Sequence, residues 1–419
     1  MGEPANRAAI NAVCGSPLEQ VALDRRRVTE NLQVYSLHLS ENRATAQMKS
    51  GRCWIFAGLN MLRYAAIRNM GLDNSFEFSQ NYVYFWFKLE QANFVLQAAQ
   101  KSVGLPDDDR TVGFLLQEAA SDAGQWHVLK NLVEKYGLVP KGAMPETVSS
   151  CEPWAMNEQL QRILRSAVGK IRRDPLSGPD VADGALATVF RLLCVHLGMP
   201  PDELDTRWRD QSKNFRKTGP TTPLQFYRDH VGVELGDYVR MMHDPRPRRP
   251  FGWLYEFDTV ANVVGGDPLT YLNCDLSQLK SAALSQLRAG EPVLFGADVR
   301  HSKSKDLGMF DTKLFDLSPI YGERASLTKG QRLAYRDSVL AHAMVLTGAD
   351  ESGPEAVSKW RVENSWGSEA GDRGFFLMTD EWFDEHVFEV VAHRRFVPES
   401  ILGALGQPPI PLPAWDSLA

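Results

Sequence analysis

The chain has 419 residues, 43% hydrophobic and 23% charged, enough to bury a large core and to form more than one subdomain. A net charge of −6 and a pI near 5.9 give no electrostatic footprint for nucleic acid. The five cysteines, Cys14, Cys53, Cys151, Cys194 and Cys274, include no CxxC pair, which excludes a disulfide framework and a structural zinc site.

The first twenty residues, MGEPANRAAINAVCGSPLEQ, hold no continuous apolar core of the kind a secretory leader needs. Asn6 stands where a myristoylation signal has Ser or Thr. The longest apolar candidate for a membrane span, ALATVFRLLCVHLGM, is interrupted by Arg191 and His196. A cytoplasmic protein with no membrane partner is expected. From Cys53 to Asn69 the residues are apolar almost all the way round, which predicts a buried helix stopped at Gly71. A second helix is predicted from Ser79 as N-cap through YVYFWFKLEQANFVLQAAQ. Further helical patterns cover 112–136 and 156–173, and RDPLSGPDVADG (173–184) reads as a loop. Residues 196–250 carry many prolines and charges, ending in HDPRPRRP, and read as part of an inserted region. The arginine-rich runs at 162–173 and 246–249 read as solvated faces. After about 270 the pattern turns to short β-rich segments: EPVLFGADV, HAMVLTGAD, KWRVENSW, GFFLMTD and FEVVAHRRFV. The last stretch, QPPIPLPAWDSLA, has prolines at 408, 409, 411 and 413 and predicts an extended arm. Helices early and strands late make an α+β protein with two lobes.

A free cysteine is ordinarily a small buried hydrophobe, and that reading holds for Cys14, Cys151, Cys194 and Cys274. Cys53 differs because Ser50 and Gly51 precede it, which places it in the first turn of a long helix. Unpaired N–H groups and the helix dipole there favour a thiolate, the form that attacks carbonyls. A base is available in the β region: His342 lies in a strand, and Asn364, 22 residues on, leaves the next strand into a turn. An asparagine amide can accept the proton of one imidazole nitrogen and leave the other facing the thiol. Trp366 can exclude water from that bond, and an imidazolium–thiolate pair is expected before substrate arrives. Gln47, six residues before Cys53, can supply one oxyanion donor beside the Cys53 backbone N–H.

Three features taken in order, Gln47-x5-Cys53-Trp54, the strand histidine, and N-S-W-G-x3-G-x2-G-F from Asn364 to Phe375, resemble the papain-like cysteine peptidases. The strings SGRCWIFAGLN, FEFSQNYVYFW, AGQWHVLKNLVEKYGLVPK, GPTTPLQFYRDHV, KWRVENSWG and PLPAWD are similar to the bleomycin hydrolase and aminopeptidase C branch. The likeness runs from about residue 44 onward, roughly nine-tenths of the chain. Cys53 and His342 are 289 residues apart, against ~130–150 in secreted papain-like enzymes, and the excess matches an insertion near 145–270.

The resemblance implies a papain-like α+β fold with a helical lobe, a β-barrel lobe and a large, mainly helical insertion. The expected segments are an N-terminal stretch (1–43), the helical lobe with Cys53 (44–145), the insertion (146–270), the barrel lobe with His342 and Asn364 (271–400), and a C-terminal arm in the active-site cleft (401–419). It implies a thiol aminopeptidase acting on peptide substrates, with Cys53, His342, Asn364 and Gln47 catalytic and Trp54 and Trp366 supporting. It further implies a homohexamer, no metal or organic cofactor, and Ala419 positioning the substrate amino terminus through a free carboxylate. Met48 departs from the family pattern after the glutamine. Two rival readings are a nucleic-acid-associated scaffold lined by the basic runs, and a hydrolase of small amides or thiolactones at the same thiol.

Overall fold

The computed structural model describes residues 4–257, 260–322, 326–354 and 356–419. Two apolar cores organise them. The first gathers the helices Cys53–Met70, Gln80–Lys101, Trp126–Tyr136, Trp154–Arg173 and Gly178–Leu197. The predicted N-cap is in place: the Ser79 hydroxyl accepts the Tyr82 N–H at 3.0 Å. Helices 53–70 and 126–136 approach closely because Gly58 has no side chain; a Cβ there would sit 1.9 Å from Leu129 Cδ2.

The second core lies between a mixed sheet and the helices Leu276–Arg288 and Asp380–His386. The sheet has twelve strands among the described residues. Its central antiparallel run is Tyr238–Met242, Val387–His393, Val293–Ala297, His342–Gly353, Ala356–Glu363 and Phe375–Thr379. Alternation along these strands serves both cores. Val293, Phe295 and Ala297 face the second core while Leu294 faces the first, and Met344 and Leu346 oppose Val345 in the same way. Burial on both faces is why the strands read as continuous apolar runs.

Three expectations change. The segment 173–184 is not all loop, because the helix Gly178–Leu197 begins inside it with Pro179 in its first turn, where a missing N–H costs nothing. The span 112–136 is two helices, Arg110–Gln117 and Trp126–Tyr136, divided by the turn residues of SDAG. The stretch 146–270 is mainly helical up to Leu197, with a further short helical stretch at 223–231. Its later residues give the strands Tyr238–Met242 and Leu254–Phe257, and both join the large sheet. Prolines and arginines between those strands mask their short apolar runs.

The arm runs extended, and Ile410–Leu412 pairs in parallel with Leu254–Phe257 at one end of the sheet. No helix among the described residues is long and apolar enough to cross a membrane.

Candidate active site

Cys53 opens its 18-residue helix, and the loop before it is built to place it. Met48 adopts a left-handed backbone (φ 54°) with its side chain exposed, a conformation that residues other than glycine adopt at some cost. The turn closes Gln47 on Ser50: the Ser50 hydroxyl donates to the Gln47 carbonyl at 2.6 Å, and the Gln47 side-chain amide donates to the Ser50 carbonyl at 2.7 Å. Arg52, fully buried one residue before the thiol, donates to Ser50 Oγ at 2.9 Å and forks onto Glu146 at 3.2 and 2.8 Å. Its guanidinium also lies over the Phe56 and Tyr84 rings. Nothing in the local sequence separates Arg52 from a surface arginine. The Trp54 indole N–H donates to the Asp122 carbonyl at 2.8 Å, tying the helix start to the segment between helices 110–117 and 126–136. That segment passes close: a Cβ on Gly124 would lie 2.3 Å from the Trp54 ring.

From the other lobe, His342 Nε2 lies 2.9 Å from Asn364 Oδ1. The same oxygen accepts the Ser365 backbone N–H at 2.8 Å. A backbone N–H only donates, so the orientation of the Asn364 amide is fixed. Facing that acceptor, Nε2 carries the ring hydrogen and Nδ1 keeps its lone pair. Trp366 lies against the imidazole, with centroids 5.1 Å apart and planes at 30°. Gln47 joins the lobes: its backbone N–H donates to the Ser365 carbonyl at 2.8 Å, and Ser365 Oγ donates to its side-chain carbonyl at 2.6 Å. Because the Ser50 carbonyl accepts only, the NH₂ group of Gln47 faces the Cys53 loop.

Cys53 and His342 line one cavity of about 440 Å³, together with Gly51, Trp54, Leu294 and Ala419. Gln47 is not part of this lining; its contacts are with Ser50 and Ser365. The thiol's polar neighbours are the backbone N–H groups of Ala343, Trp54 and Cys53 itself, and burial outweighs them, pushing the thiol up. Burial also pulls His342 down to about 4, opposed by its bond to Asn364. Burial thus opposes each charge taken singly, while the N–H groups at the helix start and the mutual attraction of a thiolate and an imidazolium act in the other direction.

Three side-chain carboxylates line the cavity: Glu118, Asp122 and Glu389. Asp122 is paired at 2.8 Å with Lys88, which is buried. Glu389 accepts from buried Arg240 at 2.6 Å, and Arg240 also donates to Gln125 at 2.5 Å. Sequence reasoning missed all of these, because their partners come from distant segments with no local pattern.

The arm is clamped along its length. Asp416 accepts from Arg246 at 2.8 Å and faces Arg249 at 3.5 Å, and Arg246 also holds Asp244 at 2.6 Å. The 246–249 run is thus not simply a solvated face; two of its arginines are the arm's anchor. Arg110 lies 4.2 Å over the Trp415 ring, and Arg336 donates to the Trp415 carbonyl at 2.9 Å. Leu418 is fully buried, and the Leu340 N–H donates to the Ser417 carbonyl at 3.1 Å, two residues before His342. These contacts bring Ala419 into the cavity lined by the thiol and the imidazole.

A nucleophile at a helix start, an oriented imidazole and a shared cavity can support acyl transfer through a thioester. A family model described as the Peptidase C1-like family matches residues 1–419. The chain is 38% identical to aminopeptidase C of Listeria monocytogenes serovar 1/2a over 388 residues, covering 92% of this chain and 88% of that protein. It is 40% identical to bleomycin hydrolase of Homo sapiens over 390 residues, covering 89% and 85%. The crystal structure of pepw from Lactobacillus rhamnosis HN001 superposes with a TM-score of 0.96 at 35% identity, over 100% of this chain and 95% of that one. With its whole length matched and its lobes meeting at Cys53, His342 and Asn364, the chain belongs to the Peptidase C1-like family.

Proposed function

We propose that this protein is a cysteine aminopeptidase that removes amino-terminal residues from peptides, with Cys53 as nucleophile and His342 as its base. The observation that carries this reading is the single cavity lined by Cys53, His342 and Ala419. His342 takes the thiol proton through Nδ1 as Cys53 attacks the first peptide carbonyl, then gives a proton to the leaving amine. It next activates water against the acyl-enzyme. Asn364 holds the ring, and Trp366 shields their bond. Gln47 and the Cys53 N–H supply oxyanion donors, with Gln47 turning from the Ser50 carbonyl toward the developing charge. Ala419 is the stop against which the substrate amino terminus is positioned, so only residues beyond the first have room on the far side of the thiol.

The relatives' names, aminopeptidase C and bleomycin hydrolase, support the same activity. A cytoplasmic homohexamer is part of the proposal. Val148, Trp154, Leu176, Val195 and Met199, all more than two-thirds exposed on the helical region, support a subunit contact there.

The test is an aminoacyl fluorogenic amide against its amino-acetylated form, on wild type and Cys53→Ala. Turnover of the free-amine substrate alone, abolished in the variant, is expected. Equal turnover of both substrates would remove the arm as a stop. Activity retained in Cys53→Ala would remove the thiol mechanism.

A further inference from the structure

The cavity beside Cys53 carries a one-sided set of charges. Its lining includes Glu118, Asp122 and Glu389 and no lysine or arginine. Two of the three are neutralised from behind, Asp122 by Lys88 and Glu389 by Arg240. Glu118 is half-buried and has no cationic partner among the described residues. Its backbone is nonetheless firmly held. Gln91 donates to the Glu118 carbonyl at 3.4 Å and the Ser121 carbonyl at 3.0 Å, and Lys88 donates to the Ala120 and Ser121 carbonyls at 2.8 Å each. The same wall is joined to the start of the Cys53 helix by the Trp54 indole and by the Gly51 N–H, which donates to Asp122 Oδ2 at 3.4 Å. Glu118 is therefore an unpaired carboxylate on a held wall that is tied to the residues flanking the thiol, Gly51 and Trp54.

We infer that Glu118 is a specificity-determining residue that favours substrates whose amino-terminal residue bears a cationic side chain, arginine or lysine. The inference rests on the aminopeptidase reading. When the first carbonyl lies at Cys53 and the amino group meets the arm at Ala419, the group left to contact the 118–122 wall is the first side chain. A long basic side chain lays its methylenes along Ala123 and Gly124 and brings its charge to Glu118. Asp122 and Glu389 cannot serve in its place, because each already has its cation.

The experiment compares kcat/KM for arginyl, citrullyl, lysyl and norleucyl amides of one fluorophore, on wild type and Glu118→Gln. Citrulline keeps the shape of arginine without its charge. Wild type is expected to prefer arginyl over citrullyl, and lysyl over norleucyl, by about fivefold at low salt, the upper range of a partly exposed ion pair. Added salt should shrink the preference, and Glu118→Gln should bring both ratios near one. Unchanged ratios in the variant would overturn the inference, as would an equal loss on all four substrates, which would place Glu118 on the α-ammonium. Wild type that turns over none of the four removes the aminopeptidase reading and this inference with it. Turnover without a charge preference removes this inference alone.

Discussion

Asn364 is oriented by the Ser365 backbone N–H, a donor that no side-chain substitution removes. His342 in turn is held twice, by the Asn364 oxygen and by the Trp366 face. The two residues should therefore fail differently. His342→Ala removes the base and should lower kcat/KM by ~10²–10⁴. Asn364→Ala leaves an imidazole still stacked on Trp366 but free to turn, and should cost roughly tenfold to a hundredfold through misorientation. Steady-state kinetics on the free-amine substrate decides this, and equal losses would reject the division of roles. At this scale Cys53, His342 and Asn364 stood out as candidates from short, unusual local settings, a thiol behind a glycine, a histidine in an apolar strand and an asparagine leaving one, and Gln47 from its place six residues before the thiol. Arg52, Arg240 and Glu118 did not. An arginine that buries itself against a carboxylate 149 positions away, as Arg240 does against Glu389, leaves no trace in its neighbours.

Two elements line the cavity that holds the thiol: the 118–125 wall and the arm. The wall was hidden because 112–136 has helical periodicity on both sides of it; only the SDAG turn signal marked the break. The arm was legible as an extended proline-rich end, but its anchor was not, since Arg246 and Arg249 look like surface charge until Asp416 is placed between them. Asp416→Ala removes that link while leaving Arg246 on Asp244, so the fold should persist and the arm should loosen. Hydrolysis of the amino-acetylated substrate should then rise above the wild-type level, toward that of a protein lacking residues 415–419. If both variants still reject the acetylated substrate, the arm does not guard the cleft.

The whole molecule carries a proton-linked weakness. Of its nine histidines, five are pulled down, each chiefly by burial: His243 and His342 to about 4, His127 and His386 to about 3, and His38. Between the ordinary histidine value of 6.5 and these lowered ones, the unfolded chain binds protons that the folded chain does not. Stability is thus complete above about pH 6.5 and falls as pH drops toward 4, by up to ~1.4 kcal/mol per pH unit for each group. His301, raised by its bond to Asp298, acts in the opposite sense but is a single group. The urea midpoint should be clearly lower at pH 5 than at pH 7, and an unchanged midpoint would contradict this assignment. The two-lobe plan was legible because helical and strand periods separate along the chain. The later strands of 146–270 were not, since their pairing is with segments far along the sequence. One strand has a role apart from catalysis. Ile410–Leu412 covers the open side of Leu254–Phe257, and Pro411, which has no N–H to offer, faces outward. The arm is thereby a hem for the sheet: a chain cut behind Gln407 bares a row of unpaired backbone groups to other copies and invites self-association, whereas one cut after Pro413 frees the cleft and stays soluble.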